Sequence, residues 1–166
     1  MHGDYYYMFE AYTIRRFQKK DAVQVSNLII KTLRTTNIKD YSASYIEKTV
    51  NAFSPEGVIQ RASWTHFYVV CHDDFILGCG AIGSYWGSKE ESSLFTIFVL
   101  PEYQGKGIGR KIIETLEHDE YFLRAKRIEI PASITACQFY RKLGYDYKKG
   151  MDYPDEEQLY RLEKFR

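Results

Sequence analysis

The 166-residue sequence has few cysteines, no long apolar run and no signal-peptide pattern at its start. Its three cysteines form neither a CxxC pair nor a Cys/His cluster at metal-ligand spacing, which argues against a metal site and a disulfide framework. The apolar runs are shorter than the roughly 18 residues that a membrane-spanning helix needs. The first residues lack a positive segment followed by an apolar one. We therefore expect a cytoplasmic protein with no metal and no membrane partner.

The sequence also lacks an excess of one charge. Twenty-three Lys and Arg residues face 22 Asp and Glu residues, which gives a formal charge of +1. Proteins that bind nucleic acids usually carry a strong basic excess, so a nucleic-acid partner is not expected. Hydrophobic residues make up 45% of the chain, enough for the core of one ordinary domain. The composition predicts a single domain over residues 1–166.

Strand and helix patterns alternate along the chain. Strands are predicted over residues 12–17, 64–71, 75–82, 94–100, 127–130, 145–148 and 159–162, and helices near residues 21–33, 44–53, from 54, 108–116 and 136–143. Ser44 and Glu47 form a candidate capping box, and Ser54-Pro55 has the pattern of a helix start. Pro131 is expected to end its strand, and residues 83–92 are expected to form a polar loop. This order predicts a mixed sheet with helices on its faces.

The glycine-rich stretch Gly105-Lys106-Gly107-Ile108-Gly109-Arg110 lies between a buried strand and an amphipathic helix. Glycine lets a ligand approach the backbone closely, and the N–H groups at a helix start attract an anion. Lys106, Arg110 and Lys111 add positive charge. The stretch therefore predicts a phosphate or pyrophosphate ligand.

Two other phosphate-binding patterns fit this stretch less well. A Walker A loop needs GxxxxGK followed by Ser or Thr, which is absent, and the third glycine arrives one residue too early for GxGxxG. Glu129 does follow Gly109 by 20 residues, where a ribose-binding acid would lie. Because only one βαβ unit is visible, a dinucleotide-binding protein is the weaker alternative.

Two segments resemble motifs of the GCN5-related N-acetyltransferases. The first is Gln104-x-x-Gly107-x-Gly109 after Val99-Leu100-Pro101, and the second is the run from Ala136 to Tyr145, ACQFYRKLGY. The element order over residues 12–163 also agrees. The resemblance implies the α+β (α/β/α) fold of that family, with a mixed, mostly antiparallel twisted sheet and helices on both faces. It further implies transfer of an acetyl group from acetyl-CoA to a primary amine by direct attack in a ternary complex.

The resemblance also assigns site residues. The backbone of Ile97, Phe98 and Val99 would pair with the pantetheine arm of acetyl-CoA, and an N–H near Val99 would stabilise the oxyanion. The remaining cofactor-binding residues are implied to be Gln104, Gly105, Lys106, Gly107, Ile108, Gly109 and Arg110 around the pyrophosphate, and Ser133 where relatives often carry Asn. Tyr140 matches the tyrosine that protonates the leaving thiolate, although its helical spacing also fits a core aromatic.

The general base and the acceptor are left open. Ser93 lies where relatives often carry Glu, so the candidate bases are Glu129, Glu90, Glu91 or a water chain. The acceptor is expected to be an amine of a small molecule or peptide, bound by the N-terminal helices and the 83–92 loop. An aromatic wall for its ammonium is predicted from Tyr41, Tyr45, Trp64, Tyr85 and Trp86.

Two further expectations concern turnover and assembly. A non-catalytic sensor that binds acyl-CoA is the alternative to an enzyme, because the base is not identified. Edge strands at residues 145–148 and 159–162 need covering, and the resemblance favours oligomers, so a homodimer is expected.

Overall fold

The computed structural model describes residues 5–9 and 11–166, with side chains from residue 11 onward. Met1–Asp4, on which the signal-peptide prediction rests, lie outside the described residues. The eight strands are β1 (Tyr5–Phe9), β2 (Tyr12–Arg16), β3 (His66–His72), β4 (Phe75–Ser84), β5 (Glu91–Val99), β6 (Arg127–Ser133), β7 (Asp146–Tyr147) and β8 (Leu159–Phe165). The helices are α1 (Ala22–Thr35), α2 (Ala43–Asn51), α3 (Pro55–Trp64), α4 (Ile108–Leu116), α5 (Glu120–Leu123) and α6 (Cys137–Lys142).

The strands form one sheet in the order β1-β2-β3-β4-β5-β6-β8-β7. Neighbouring strands are antiparallel except β5 and β6, which are parallel and pair only between residues 91–93 and 127–129. After Ser93 the two strands diverge. The predicted mixed, mostly antiparallel sheet is confirmed, and the divergence leaves the rest of β5 without a strand partner on its β6 side.

Helices cover both faces of the sheet, as predicted. In β4, Gly80 lies against Ile112 of α4, whereas Gly83 lies against Trp64 of α3. Successive residues of a strand face opposite sides, so α3 and α4 lie on opposite faces. Helix α1 packs with α2 and α3, and α6 contacts α4 through Phe139. The start of α4 is therefore held beside the point where β5 and β6 separate.

Several boundaries differ from the sequence predictions. Ser42, not Ser44, caps α2, because the Ser42 hydroxyl accepts a hydrogen bond from the Tyr45 N–H at 3.1 Å. The Ser54 cap of α3 with Pro55 in the first turn is confirmed. Strand β6 does not end at Pro131 but continues to Ser133. Pro131 lies beyond the part of β6 that pairs with β5, and a strand side without a partner tolerates a residue that lacks an N–H.

Other elements are longer or shorter than predicted, or were not predicted. Strand β4 runs to Ser84 and β5 begins at Glu91, so the loop predicted over residues 83–92 is shorter. At the C-terminal end β7 has two residues, while β8 extends to Phe165. Strand β1 and the four-residue helix α5 were not predicted, and α5 is too short to show a helical period.

The described residues show neither a membrane-spanning helix nor a metal cluster. None of the helices in residues 11–166 combines the length and apolar character needed to cross a bilayer. Within the same residues, His, Cys, Asp and Glu side chains do not gather in groups of three or more that would hold a metal ion. Cys71, Cys79 and Cys137 are buried free thiols.

Candidate active site

Strand β5 contains a bulge at the point where it leaves β6. Cys79 of β4 faces Phe98 and Ala81 faces Phe95, so two residues of β5 oppose Gly80 alone. One of them, Thr96, has φ 57°, a rare conformation for a β-branched residue. The Cys79 thiol donates to the Thr96 carbonyl at 3.2 Å. A bulge redirects the strand locally, so it turns the backbone that follows Thr96 toward the divergence of β5 and β6.

A cleft of about 1000 Å³ opens at this divergence. It brings together most of the residues that the sequence assigned to the site. Those lining it are Ile97, Phe98, Val99, Gln104, Gly105, Gly107, Ile108, Gly109, Arg110, Ser133 and Tyr140. Lys106 and Glu129 are absent from the lining; the Lys106 ammonium lies 5.4 Å from the centre of the Tyr103 ring and is exposed.

The glycine loop presents unpaired backbone N–H groups to the cleft. Gly105 and Gly107 have φ of 78° and 82°, in the left-handed region that favours glycine. Gly107 immediately precedes α4, and the first turn-closing bond of the helix runs from the Lys111 N–H to the Gly107 carbonyl. The amides of residues 108–110 therefore have no intrahelical acceptor, and the positive end of the helix dipole coincides with them. This end of the cleft suits an anion.

Two predicted cofactor residues use their side chains to hold the loops. The Gln104 amide donates to the Val99 carbonyl at 2.9 Å and to the Thr36 hydroxyl at 3.3 Å. The Ser133 hydroxyl accepts from the Ala136 N–H at 3.1 Å and so stabilises the turn into α6. Both residues line the cleft. Direct contact of their side chains with a cofactor stays a prediction.

Tyr140 combines a buried ring with an unused hydroxyl. The residue is 5% exposed, and its ring packs edge-on against Phe139 at 5.4 Å. Its hydroxyl forms no hydrogen bond with any residue that the structure describes. Because no side-chain polar atom in that region is both fully buried and unbonded, the hydroxyl is open to the cleft. Burial and the neighbouring Cys79 raise the pKa of Tyr140 above the ordinary value for a phenol, so the O–H stays protonated.

The predicted aromatic wall is only partly correct. Tyr41 and Tyr45 stack at 4.4 Å between ring centres, and their hydroxyls donate to the carbonyls of Gln158 and Glu157. These bonds hold the segment 156–159 as a wall of the cleft, a role that no motif in the sequence indicated. The other three predicted aromatics do not line the cleft: Trp64 packs on Phe95, Tyr85 lies between Arg127 and Lys148, and Trp86 is 89% exposed. Residues 83–92 do not line this cleft, so the cleft gives no support to the prediction that their loop forms the acceptor side.

A family model described as "Acetyltransferase (GNAT) domain" matches residues 63–147, about half of the chain. The chain belongs to the GNAT acetyltransferase family. The matched segment includes the bulged strand, the glycine loop and Tyr140. The curated N-acetyltransferase YodP of Bacillus subtilis strain 168 is 30% identical over 109 residues, which is 65% of this chain. The chain spans about a third of the length of that relative, since the match covers 35% of it.

Solved structures of N-acetyltransferases share the fold of this chain. PaiA N-acetyltransferase from Thermoplasma acidophilum, in complex with coenzyme A, superposes with a TM-score of 0.79 over 95% of this chain and 100% of its own, at 17% identity. A GCN5-related N-acetyltransferase from Rhodopseudomonas palustris gives a TM-score of 0.76 over 97% and 99% of the two chains, at 18% identity. At such identities the likeness concerns the fold alone.

The carboxylates predicted as candidate general bases lie outside the cleft. Glu129 is 1% exposed, and its carboxylate lies 2.9 Å from both Lys148 and Arg127 and 3.6 Å from Arg161. Glu91 pairs with Arg127 at 2.6 Å, and Glu90 pairs with Lys126. A general base must reach the proton that it removes. The geometry therefore does not support any of the three as the base, and these contacts give Glu129 a structural role.

The variant Glu129→Gln is expected to lose stability and to keep any turnover that the wild type shows. Removing one partner from a buried ion pair leaves its cations uncompensated, and because Lys148 and Arg161 reach solvent we expect a loss of about 2–3 kcal/mol. Glu91→Gln is the matched control, since it removes a partly exposed partner of the same Arg127 and should cost less than about 1 kcal/mol. Urea unfolding and steady-state turnover test both variants. A large fall in turnover with normal stability in Glu129→Gln would restore it as the base.

Proposed function

We propose that this acetyltransferase moves the acetyl group of acetyl-CoA to a primary amine of a small molecule or peptide, by direct attack in a ternary complex. One observation carries the proposal: a single cleft holds the free amides of the α4 start, the unpaired edge of β5 and the Tyr140 hydroxyl. These three features match the three parts of an acyl-CoA: its pyrophosphate, its pantetheine arm and its thioester.

The cofactor half of the cleft lies between α4 and β5. The amides of residues 108–110, with Arg110 beside them, would hold the pyrophosphate. The pantetheine arm would lie along Ile97–Val99 and bond the open strand edge as an added strand does. Coenzyme A is bound in the T. acidophilum structure of the same fold, which supports this ligand class. No metal takes part in the proposed reaction.

The chemistry requires one nucleophile, one oxyanion site and one proton donor. The amine nitrogen forms a bond to the thioester carbonyl carbon, and a β5 N–H near Val99 stabilises the negative oxygen. The C–S bond then breaks, and the Tyr140 O–H donates its proton to the departing sulfur to give the free thiol of CoA. The attacking nitrogen loses its proton to solvent, which returns one to Tyr140. The products are the N-acetylated amine and CoA.

The carboxylates that do line the cleft belong to the segment before β8. Glu156 is exposed and Glu157 pairs with Arg161 at 2.8 Å. They attract an ammonium, which must become a neutral amine before it attacks. We assign this proton loss to water in that part of the cleft rather than to Glu129, Glu90 or Glu91.

Thiol release from acetyl-CoA across a panel of primary amines tests the proposal. We expect CoA to bind one molecule per chain by calorimetry, and at least one amine to release thiol faster than buffer alone. CoA binding without thiol release from any amine would favour the acyl-CoA sensor. NADH that binds in competition with CoA would favour the dinucleotide-binding alternative, for which the described structure offers a single βαβ unit.

The expectations of a homodimer, a cytoplasmic location and one domain over residues 1–166 stay predictions. The argument for a dimer rested on exposed C-terminal edge strands. In the structure the strand at that edge is β7, which has two residues. Short edge strands are themselves a protection against edge-to-edge pairing, so this argument for a dimer is weaker than the sequence indicated.

A further inference from the structure

Arg61 is a half-buried cation in the cleft that none of the described side chains neutralises. It lies in α3 and lines the cleft, with its guanidinium carbon 4.4 Å from the centre of the Phe53 ring. Within residues 11–166, its side chain has neither a hydrogen-bond nor an ion-pair partner. Other arginines of the chain do have one: Arg15 pairs with Asp21, and Arg34 with Glu47. Burial lowers the pKa of Arg61, and no carboxylate opposes this effect.

Arg61 lies on the side of the cleft where the acceptor is expected, and not at the expected pyrophosphate site. Phe53, on which it stacks, contacts Phe98 at 5.8 Å between ring centres. Phe98 of β5 lies opposite Cys79 of β4 in the sheet, and Cys79 lies near Tyr140. The guanidinium is thus connected through two aromatic rings to the place where the thioester is expected. The expected pyrophosphate site, in contrast, lies at the start of α4, a helix whose body packs on the opposite face of the sheet from α3.

A half-buried guanidinium without a counter-ion is suited to bind an anionic group of a ligand. Taking a charge out of water without a partner is costly, so a partial burial of this kind favours binding of an anion. The Phe53 ring covers one side of the guanidinium, and none of the described residues bonds its N–H groups, whose fork matches the two oxygens of a carboxylate. A phosphate dianion would require a second close cation, and the lysine that lines the cleft, Lys48, is exposed.

We infer that Arg61 binds a carboxylate of the acceptor, so that the substrate class is a primary amine that also carries a carboxylate, as amino acids do. This inference rests on the proposed acetyl transfer. The cleft then offers both charges that such a zwitterion needs. Arg61 takes the carboxylate, while Glu156 and Glu157 attract the ammonium before it loses its proton.

The test compares amines that differ only by a carboxylate. β-Alanine and ethylamine, L-phenylalanine and phenethylamine, and L-lysine and cadaverine are three such pairs. For each we would measure kcat/KM by thiol release, and binding to the CoA-loaded protein by calorimetry. A charge-assisted hydrogen bond corresponds to about 10- to 100-fold in affinity, so the wild type should prefer the carboxylated member of at least one pair by this factor.

Variants of Arg61 assign the preference to its side chain. In Arg61→Gln the preference should fall by about 10- to 100-fold, and Arg61→Lys should restore part of it, because an ammonium keeps the charge without the fork. The CoA affinity should stay the same in both. Arg124→Gln is the control, since Arg124 also stacks on a ring, that of Tyr121 at 4.5 Å, but lies outside the cleft lining.

Three results would overturn the inference: no preference in any pair, a preference that survives Arg61→Gln, or binding of no carboxylated amine. If the protein prefers phosphoethanolamine to every carboxylated amine, the group that Arg61 binds is a phosphate and not a carboxylate. Failure of the proposed acetyl transfer can be distinguished from failure of the Arg61 inference. Without acetyl transfer no amine would release thiol, but calorimetry would still measure whether binding of the carboxylated amines depends on Arg61.

Discussion

Replacing Tyr140 with Phe is expected to lower the single-turnover rate of acetyl transfer about 10²-fold, the lower end of the effect of a general acid. The change keeps the buried ring and deletes only the proton that the thiolate would receive. Since the Tyr140 hydroxyl bonds to none of the described residues, no internal hydrogen bond is lost. The melting temperature and the CoA affinity should therefore change little.

Tyr145→Phe is the matched control for this experiment. Tyr145 is as buried as Tyr140, but its hydroxyl donates to Glu117 at 2.8 Å and it does not line the cleft. Its loss should lower the free energy of unfolding by about 1 kcal/mol and leave the chemical step unchanged. The two variants thus separate a tyrosine that serves the reaction from one that serves the fold.

The pH dependence gives a second readout on Tyr140. Burial raises its pKa above the ordinary phenol value of about 10, so the donor form persists as the pH rises through neutrality. Between about pH 7 and 9 the chemical step should not slow through loss of this proton. Slow product release can hide a defect in steady-state turnover, so single-turnover kinetics is required. A normal chemical step in Tyr140→Phe would show that the residue is only a core aromatic.

The glycine loop was predictable from the sequence because its parts are neighbours along the chain. The strand before it, the glycines and the amphipathic helix after it are contiguous, so periodicity and residue type determine its structure. The walls of the cleft are different. The Tyr41 hydroxyl bonds the carbonyl of Gln158, 117 positions later, and Arg61 lies over Phe53, which contacts Phe98 of a distant strand. Contacts of this kind depend on the strand order, which no local pattern contains.

The errors in the sequence predictions have the same physical origin. Ser42 and Ser44 are both acceptable helix caps, and the choice between them depends on where the first turn begins. Glu129 has a suggestive spacing from Gly109, but spacing does not reveal the three cations that β6, β8 and residue 148 place around it. A proline would interrupt a strand with partners on both sides, but β6 at Pro131 pairs only with β8, so the strand continues.

The second large effect is expected at Gly107, where Gly107→Val should weaken CoA binding by about 10²-fold or more. The residue has φ 82° and directly precedes the amides proposed to hold the pyrophosphate. A valine at this position disfavours the left-handed backbone and places a branched side chain at the anion site, which removes charge-assisted bonds that each correspond to at least a factor of ten. A Cβ at Gly107 meets no atom within 4 Å, so packing should survive.

Gly109 is a less direct test of the same loop. A Cβ there would lie 3.1 Å from the Phe139 ring, so the glycine permits the close approach of α4 and α6. Substitution of Gly109 would change helix packing as well as the anion site. A loss of CoA binding in that variant would not distinguish the two causes.

Gly150→Val is the appropriate control for Gly107→Val. Gly150 has φ 72° and open space around its Cα, but it lies outside the cleft lining. Both valines impose the same kind of backbone strain, about 1–3 kcal/mol, so both variants should melt lower by similar amounts. Only Gly107→Val should lose CoA binding in calorimetry. If the two variants bind CoA equally well, the pyrophosphate does not sit on the amides that begin α4, and the cofactor half of the cleft must be assigned elsewhere.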